Sequence, residues 1–198
     1  MSAADQVLTG SVRLHFTMTL DGFIAGPEHD MSWMTGFAAA PGELESYADA
    51  TGAVLAGRDA FDVHPDISRI YGGTWHGPVF LLTHHPEDAP QVDGVRVLSC
   101  DVGEAARIAL DAADGRDLEV FSASIGCQLL ERGLVDTIEL HLVPILLGDG
   151  IRLFERFAGG PIRLRPFNAE ADPDDAVPAV TLRYRVPRAG HAVAHTAA

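Results

Sequence analysis

Lysine is absent from this sequence of 198 residues, and all fourteen basic residues are arginines. The absence excludes catalysis through a lysine Schiff base, and it excludes a P-loop, in which a lysine contacts the phosphates. Twenty-eight acidic residues outnumber the arginines and give a formal net charge of −14 at pH 7. Nucleic acids and anionic membranes are bound by positively charged surfaces, so we expect neither of them as a partner.

Cysteines and long hydrophobic runs are also scarce. Cys100 and Cys127 are the only cysteines, and no metal-site spacing surrounds them, so we expect reduced thiols and no bound metal. No apolar run reaches the roughly eighteen residues that a membrane-spanning helix needs. Residues 1–10 have neither a basic start nor an apolar segment of a signal peptide. We therefore expect a soluble, cytoplasmic protein.

Short apolar runs alternate with helical patterns along most of the chain and predict an α/β fold. Strands joined by helices form parallel sheets, so we expect a central, mostly parallel sheet with helices on both faces. The last strands follow each other without a helix, which indicates an antiparallel C-terminal edge. Strands are expected at about residues 12–17, 53–56, 79–83, 95–99, 118–121, 136 onwards, 162–167 and 179–186, and helices at 42–50, 102–113 and 122–134. Asp101 is the expected N-cap of the helix at 102–113.

The length of the chain is typical of a single domain. We expect a flexible N-terminus over residues 1–10, one domain over residues 11–187 and a disordered tail over residues 188–198. Residues 22–41 are rich in glycine and proline and are interpreted as a loop. Residues 168–178 are acidic and contain two prolines, and they are interpreted as a second loop.

The junction that follows the strand at 118–121 is the strongest candidate for an anion site. Small residues open a helix there and would let a phosphate approach the backbone: Ser122, Ala123, Ser124 and Ile125. The N–H groups in the first turn of a helix have no partner within the helix, and the helix dipole adds positive potential. The alternative interpretation is an ordinary turn in which a serine caps the helix.

Two other strand ends carry residues that suit the same ligand. Gly57-Arg58 combines close backbone approach with a guanidinium group, and Thr83-His84 offers a hydroxyl and an imidazole. Ligands of open α/β sheets bind at the carboxyl ends of strands, so the three strand ends together predict a dinucleotide site. Taken singly, Arg58 and His84 also fit ordinary solvated surface residues.

Seven segments occur along the chain in a characteristic order: TMTLDGFIAG, MSW, APGELESY, AVLAGRDAF, VFLLTHH, EVFSASIG and LVDTIELHLVPILLGDG. This order resembles the dihydrofolate reductase fold. It is more closely similar to the reductase domain of the bifunctional deaminase/reductase of riboflavin biosynthesis, over about residues 12–187. The TLDG turn and the LVD…VPILLGDG…LF pattern are the most specific parts. The resemblance implies a dihydrofolate reductase-like fold, a homodimer, and hydride transfer from NADPH to a pyrimidine- or pteridine-like substrate, as in 5-amino-6-(5-phosphoribosylamino)uracil reductase.

The resemblance also implies where the cofactor binds. Gly57 and Arg58 match the residues at its phosphates, and Thr83 and His84 match the strand end that faces the adenosine 2′-phosphate. Many relatives have arginine or serine at the position of His84, so NADH is an alternative cofactor. Phe121-Ser122 stands where relatives have paired glycines, and a phenylalanine there could narrow the cradle for the pyrophosphate.

Three residues match catalytic positions of the family. Glu43 matches the carboxylate that holds the pterin and assists its protonation, and Asp21 matches an aspartate beside the substrate. His141 lies on a strand that faces this acid and could pair with Glu43. Each also has a structural interpretation: a helix first-turn acid, a turn-forming aspartate and a core histidine.

Met31 and Trp33 match hydrophobic positions of the substrate pocket, and core packing is their alternative role. Two other functions stay open at this stage. One is reduction of a different heteroaromatic substrate with a bound flavin or deazaflavin, and the other is a non-catalytic, nucleotide-binding dimeric module.

Overall fold

A computed structural model describes residues 10–37, 39, 41–155, 164–171 and 179–187. It contains a sheet of eight strands in the order β5-β4-β3-β6-β1-β7-β10-β9 and a separate pair, β2-β8. The strands are β1 Val12–Thr19, β2 Phe23–Ala25, β3 Thr51–Gly57, β4 Val79–Leu82, β5 Val95–Leu98, β6 Asp117–Phe121, β7 Thr137–Val143, β8 Ile151–Arg152, β9 Arg165–Ala171 and β10 Val180–Arg185. The helices are α1 Glu43–Ala50, α2 Arg58–Val63, α3 Val102–Ala112 and α4 Ala123–Glu131.

The main sheet confirms the predicted arrangement. Strands β5, β4, β3, β6, β1 and β7 are parallel to their neighbours, whereas β10 is antiparallel to both β7 and β9. The parallel strands are joined through helices and 3₁₀ turns, and the antiparallel pairing of β10 with β7 and β9 forms the edge of the sheet. The carboxyl ends of β3, β4 and β6 therefore meet at one edge of the sheet.

Helices cover both faces of the sheet, as expected. Alternate residues of a strand point to opposite faces, and β3 shows this in its apolar sequence. Ala53 and Leu55 belong to the core formed with α3 and α4, whereas Val54 and Ala56 belong to the core formed with α1 and α2. Side chains on both faces of β3 are buried in an apolar core, which explains why the strand has no polar face.

Helix starts agree with the cap residues predicted from the sequence. The Asp101 carboxylate accepts a hydrogen bond from Gly103 N at 2.8 Å and caps α3. The Ser122 hydroxyl accepts one from Ile125 N at 3.4 Å and caps α4. Helix α4 ends at Glu131 rather than near residue 134, and Leu134 is 42% exposed beyond it. The leucine spacing therefore overestimated the length of this helix.

Three short or polar elements differ from the predictions. Strand β2 lies within residues 22–41, which were interpreted as a loop, and it pairs with the two-residue β8. Helix α2 begins at Arg58, where only a strand end was expected. Elements of two to six residues are too short to produce a recognisable period.

Strand β9 is the third difference, because it continues to Ala171 through residues interpreted as a loop. Asn168 pairs with Arg183 and Glu170 pairs with Thr181, so the ladder with β10 orders this polar segment. The predicted flexible N-terminus and disordered tail, as well as residues 172–178, lie outside the described residues apart from Gly10. Within the described ranges, no helix combines the length and the apolar character that crossing a membrane would need.

Candidate functional site

A cleft opens at the sheet edge where β3, β4 and β6 end. It consists of an inner pocket of about 670 Å³, lined by side chains that include His15, Met31 and Phe121, and an outer pocket of about 600 Å³, lined by Thr83 and Arg132 among others. Both pockets share four lining residues: Gly57, Arg58, Asp59 and Ser124. The two volumes are within the usual range for small-molecule sites, and the shared residues make them parts of one cleft.

Gly57 and the start of α4 form the junction between the two pockets. A Cβ atom at position 57 would lie 2.8 Å from the Ser122 hydroxyl oxygen and 3.3 Å from the Ser122 Cβ, so a side chain here would require Ser122 to move. The first backbone hydrogen bond within α4 runs from Gly126 N to Ser122 O at 2.9 Å. The N–H groups of Ala123 and Ser124 precede that bond, and they are available to an anion at the junction.

The predicted cofactor residues of the outer pocket occupy different environments. The Arg58 guanidinium group binds Asp62 four residues later, with Nε and Nη2 each 2.8 Å from a carboxylate oxygen. Thr83 is buried and its hydroxyl accepts a hydrogen bond from His85 N at 3.0 Å, whereas the neighbouring His84 is exposed. The structure brings Arg58, Thr83 and His84 together as the wall of one pocket.

Phe121 is half-buried in the wall of the inner pocket. Its ring meets the Tyr71 ring edge-on, with centroids 6.3 Å apart and an angle of 72° between the planes. Ser122 and Ala123 follow it along the same wall. The phenylalanine that departs from the glycine pattern therefore packs against an aromatic residue beside the junction.

A cluster of polar side chains lies behind the inner pocket, between the sheet and α1. The Nε2 atoms of His15 and His141 are 2.8 Å apart, so the two imidazoles share one hydrogen bond. His141 Nδ1 is 3.0 Å from the Thr181 hydroxyl and 3.9 Å from a Glu43 carboxylate oxygen. His15 Nδ1 lies 3.1 Å from Oε1 of the fully buried Glu119. We name Glu43, His141, His15 and Glu119 the histidine cluster.

The histidine cluster is held in place by Tyr47 and by a second carboxylate. The Tyr47 hydroxyl donates a short hydrogen bond to Glu139 and lies 3.2 Å from His141 Nε2. Arg183 Nε donates to the same Glu139 oxygen at 2.7 Å. The Tyr47 ring lies against the His15 ring, with centroids 4.1 Å apart and an angle of 32° between the planes. These contacts fix the orientation of both imidazoles.

Burial and neighbouring charges shift the pKa values of these groups. Burial lowers the pKa of His141, His15 lowers it further, and Glu43 opposes the shift, so His141 is neutral at pH 7. Burial alone would raise the pKa of Glu139, but hydrogen bonds from Tyr47 and Arg183 outweigh it and lower the value. Burial and Glu139 raise the pKa of Tyr47, which keeps its proton.

Arg13 supports the cluster from its buried side. Its Nε donates to Glu119 at 2.7 Å and its Nη2 to the Thr51 hydroxyl at 2.8 Å, and the side chain is only 8% exposed. Arg13, His15 and Thr17 alternate along β1 with apolar residues. This period of two is visible in the sequence, and it places His15 on the same face of β1 as Arg13. His15 was not among the predicted site residues, although this pattern could have identified it.

Asp21 takes a different position from the other predicted catalytic residues. Its carboxylate accepts hydrogen bonds from the Thr19 hydroxyl at 2.6 Å and from Gly148 N at 2.8 Å. The bond from Thr19 and those from Gly148 and Leu147 lower the pKa of Asp21 to about 2. Asp21 lines neither pocket, which is also true of Glu43 and His141, and its hydrogen bonds tether Leu147 and Gly148 to the turn.

The two predicted substrate-pocket residues, Met31 and Trp33, differ in whether they line the inner pocket. Met31 lines the inner pocket, as does Met34, which the sequence analysis did not identify. Trp33 lies between them in the same 3₁₀ turn but does not line the pocket. Its indole Nε1 is buried and has no hydrogen-bond partner among the residues that the structure describes.

No protein-family model matches the chain, and no curated protein matches it. Solved structures do match. A putative riboflavin biosynthesis protein from Shewanella sp. PV-4 superposes with a TM-score of 0.73 at 20% identity, covering 90% of this chain and 99% of that one. Dihydrofolate reductase from Enterococcus faecalis, complexed with NADP(H), has a TM-score of 0.62 at 14% identity, with coverage of 90% and 97%.

The bifunctional diaminohydroxyphosphoribosylaminopyrimidine deaminase/5-amino-6-(5-phosphoribosylamino)uracil reductase from Thermotoga maritima also matches. Its TM-score is 0.64 at 17% identity, and the match covers 90% of this chain but 57% of the bifunctional protein. These identities are low, so the likeness concerns the path of the backbone. The chain has the dihydrofolate reductase-like fold, in the form shared with reductase structures of riboflavin biosynthesis.

Proposed function

We propose that this protein is a nicotinamide-dependent reductase that transfers a hydride to a pyrimidine- or pteridine-like ring. One observation carries the proposal: a single cleft joins an anion-binding junction at Gly57 and Ser124 to the histidine cluster, which it reaches through His15. The fold, shared with reductases, supports the same function. Because fold alone does not define activity, the proposal depends on these residues.

The residues of the cleft fit a dinucleotide. Two pockets that share one set of lining residues at their junction match a ligand with two nucleotide halves joined by a diphosphate. The N–H groups of Ala123 and Ser124, with Gly57 opposite, would hold the diphosphate. Thr83, His84 and Arg58 would surround the adenosine half, and Met31 and Phe121 would border the nicotinamide half. When bound, the nicotinamide supplies the hydride.

The reduction also consumes a proton, which the histidine cluster is arranged to deliver. Side-chain exposure falls from 25% at Glu43 to 14% at His141 and 11% at His15. Glu43 can take up a proton from water, and the neutral His141 can accept it on Nδ1 and release one from Nε2 towards His15. The relay ends at His15, which lines the inner pocket; its Nε2 faces His141 and its Nδ1 faces Glu119, so the ring has to turn away from one of these partners to protonate a substrate.

Nucleotide binding tests the first half of the proposal. Thermal melting with NADH and with NADPH should show stabilisation by at least one of them, since ligands that bind only the folded state raise the melting temperature. In Ser124→Glu the new carboxylate should repel the diphosphate and abolish the shift, while an acidic residue in the first turn of a helix leaves α4 intact.

Ser46→Glu is the matched control for that variant. Ser46 is exposed on α1 and lines neither pocket, so the variant adds the same charge outside the cleft. Its nucleotide-dependent shift should equal that of the wild type. Equal shifts in all three proteins would show that the nucleotide binds elsewhere, and the absence of a shift with either nucleotide would contradict the proposal.

Turnover tests the second half. Oxidation of the nucleotide is followed at 340 nm with a panel of ribosylaminopyrimidines and dihydropteridines. For any substrate that is reduced, Glu43→Gln should lower kcat by about 10²-fold or more, because a positioned acid contributes that much. It should leave the nucleotide-dependent melting shift unchanged. An unchanged kcat would remove Glu43 from proton delivery.

A further inference from the structure

The outer pocket is unusually acidic for a site that would hold an adenosine phosphate. Its aspartates outnumber its arginines by four to two: Asp59, Asp62, Asp88 and Asp101 against Arg58 and Arg132. The charges that line a partly closed cleft determine its local potential more than distant charges do, because salt screens interactions beyond about 8–10 Å. The outer pocket therefore carries a negative local charge within a protein that is itself strongly acidic.

Both arginines are already paired with aspartates of the same pocket. Arg58 Nε lies 2.8 and 3.0 Å from the two oxygens of Asp62, and Nη2 lies 2.8 Å from one of them. Arg132 Nη1 lies 2.5 Å from Asp101 Oδ1. An added phosphate would have to displace one of these carboxylates before it could bind a guanidinium group.

The two forms of the nicotinamide dinucleotide differ at this position. The adenosine ribose of NADH carries a 2′-hydroxyl, which can donate a hydrogen bond to a carboxylate, whereas NADPH carries a 2′-phosphate with nearly two negative charges. Dinucleotide sites in other folds use an acidic residue for the hydroxyl and an arginine for the phosphate. In the outer pocket both arginines are paired with carboxylates. This arrangement suits the 2′-hydroxyl of NADH better than the 2′-phosphate of NADPH.

We propose that the outer pocket selects NADH over NADPH because Asp62 occupies the Arg58 guanidinium group. The inference rests on the proposed function, because it assumes that the adenosine half binds here. Asp62 is then the specificity-determining residue, because its carboxylate pairs with Arg58 and repels a phosphate placed beside it.

Dissociation constants for NADH and NADPH, measured by calorimetric titration at one fixed salt concentration, test the proposal. The wild type should bind NADH at least about tenfold more tightly than NADPH. Asp62→Asn should release Arg58 and tighten NADPH binding by about tenfold, with a change of less than about threefold for NADH. Asp62 is exposed at the end of a short helix, so the variant should fold, and its circular dichroism spectrum checks this.

Asp111→Asn is the matched control. Arg107 and Asp111 form the same kind of pair, four residues apart, on α3 and outside both pockets. This variant removes the same charge from the protein and should leave the ratio of the two constants unchanged.

Three outcomes would overturn the inference. NADPH binding that equals or exceeds NADH binding in the wild type would show that the outer pocket does not exclude the phosphate. Equal changes in Asp62→Asn and Asp111→Asn would assign the effect to net charge. Binding of neither nucleotide would remove the proposed function itself, together with the inference that rests on it.

Discussion

The two faces of β1, β6 and β7 differ in chemistry although the same strands form both. Towards α3 and α4 the strands bury only apolar side chains: Val12, Leu14, Leu118, Val120, Ile138 and Leu140. Towards α1 they bury or half-bury charged and ionisable ones: Arg13, His15, Glu119, Glu139 and His141. Nothing in strand geometry distinguishes the faces, so the alternating sequence alone decides which side becomes apolar core and which becomes the candidate site.

The comparison teaches that burial has opposite meanings on the two faces. On the apolar face each buried side chain contributes by leaving water. On the polar face burial costs free energy, and each charge is tolerated because a partner lies within hydrogen-bond distance. Arg13 has Glu119 and Thr51, and Glu139 has Tyr47 and Arg183. The polar face is therefore sensitive to the loss of a partner rather than to the loss of volume.

Truncation on the apolar face should have the largest effect. Leu14 is fully buried, so Leu14→Ala should lower the free energy of unfolding by about 3–4 kcal/mol through lost transfer energy and the cavity left behind. Urea unfolding followed by tryptophan fluorescence measures the change.

A second substitution makes this test specific to volume. A Cβ atom at Gly126 would lie 3.0 and 3.3 Å from the Leu14 methyl groups, so it points into the space that the truncation empties. Adding Gly126→Ala to Leu14→Ala should restore about 1 kcal/mol, because alanine is the better helix former. A further loss of stability would contradict the packing that we describe.

Removal of one charge on the polar face should cost slightly less. Glu119 is fully buried, and among the described residues Glu119→Gln leaves the buried Arg13 with the partly exposed Asp117 as its remaining ion-pair partner. We expect a loss of about 3 kcal/mol in the free energy of unfolding, measured by the same urea titration.

The double variant Arg13→Met/Glu119→Met provides the comparison. It removes both charges and keeps apolar volume, so it should lose less stability than Glu119→Gln alone. A double variant that is less stable than the single one would show that the pair contributes net stability, and the proposed difference between the faces would then fail.

His141 should make stability depend on pH above the range where carboxylates titrate. Its pKa is lowered from the ordinary value of 6.5, so below pH 6.5 the unfolded chain binds a proton that the folded protein does not. The stabilisation is complete above pH 6.5 and is lost as the pH falls. The ordinary pKa of Glu139 is 4.5, so this carboxylate contributes to the pH dependence of stability only in a more acidic range.

Melting temperatures between pH 7.5 and 5.5 measure this dependence. The slope should be smaller in His141→Asn than in the wild type, and His76→Asn, which changes an exposed histidine, should retain the wild-type slope. Equal slopes in all three proteins would mean that His141 is not a source of the dependence.

Breaking an ion pair that belongs to neither the apolar nor the polar face of the sheet should have the smallest effect on the free energy of unfolding. Arg107 and Asp111 are 59% and 43% exposed and 3.0 Å apart. Asp111→Asn should change the free energy of unfolding by less than about 0.5 kcal/mol, because exposed pairs four residues apart contribute little. A larger change in urea unfolding would place this pair in a role that the structure does not indicate.

Much of the fold could be predicted because its main elements have strong local patterns. The apolar runs in β3 and β4, the serine cap of α4 and the aspartate cap of α3 were all recognisable in the chain. Strands β2 and β8 were missed because two or three residues have no period, and the end of β9 was missed because its order comes from pairing with β10.

The candidate site was predictable only in part. The strand-end residues Gly57, Thr83 and Ser122 were recognised because parallel strands place their carboxyl ends at one edge. His15 and Glu119 were missed, since neither has a distinctive neighbour in the chain, and their contacts join residues more than a hundred positions apart. Asp21 stays a predicted catalytic residue, and its contact with the distant residue Gly148 is a second feature that its local motif did not indicate.

The sequence by itself determined the alternation of strands and helices, the helix starts and the edge of the sheet where a ligand can bind, because each of these follows from a local pattern. The tertiary structure alone decided which ionisable groups meet and in which state. The imidazole pair of His15 and His141, and the carboxylate of Asp62 on Arg58, depend on distances set by packing. Distance and burial control electrostatic interaction energies, and neither quantity can be obtained from residue order.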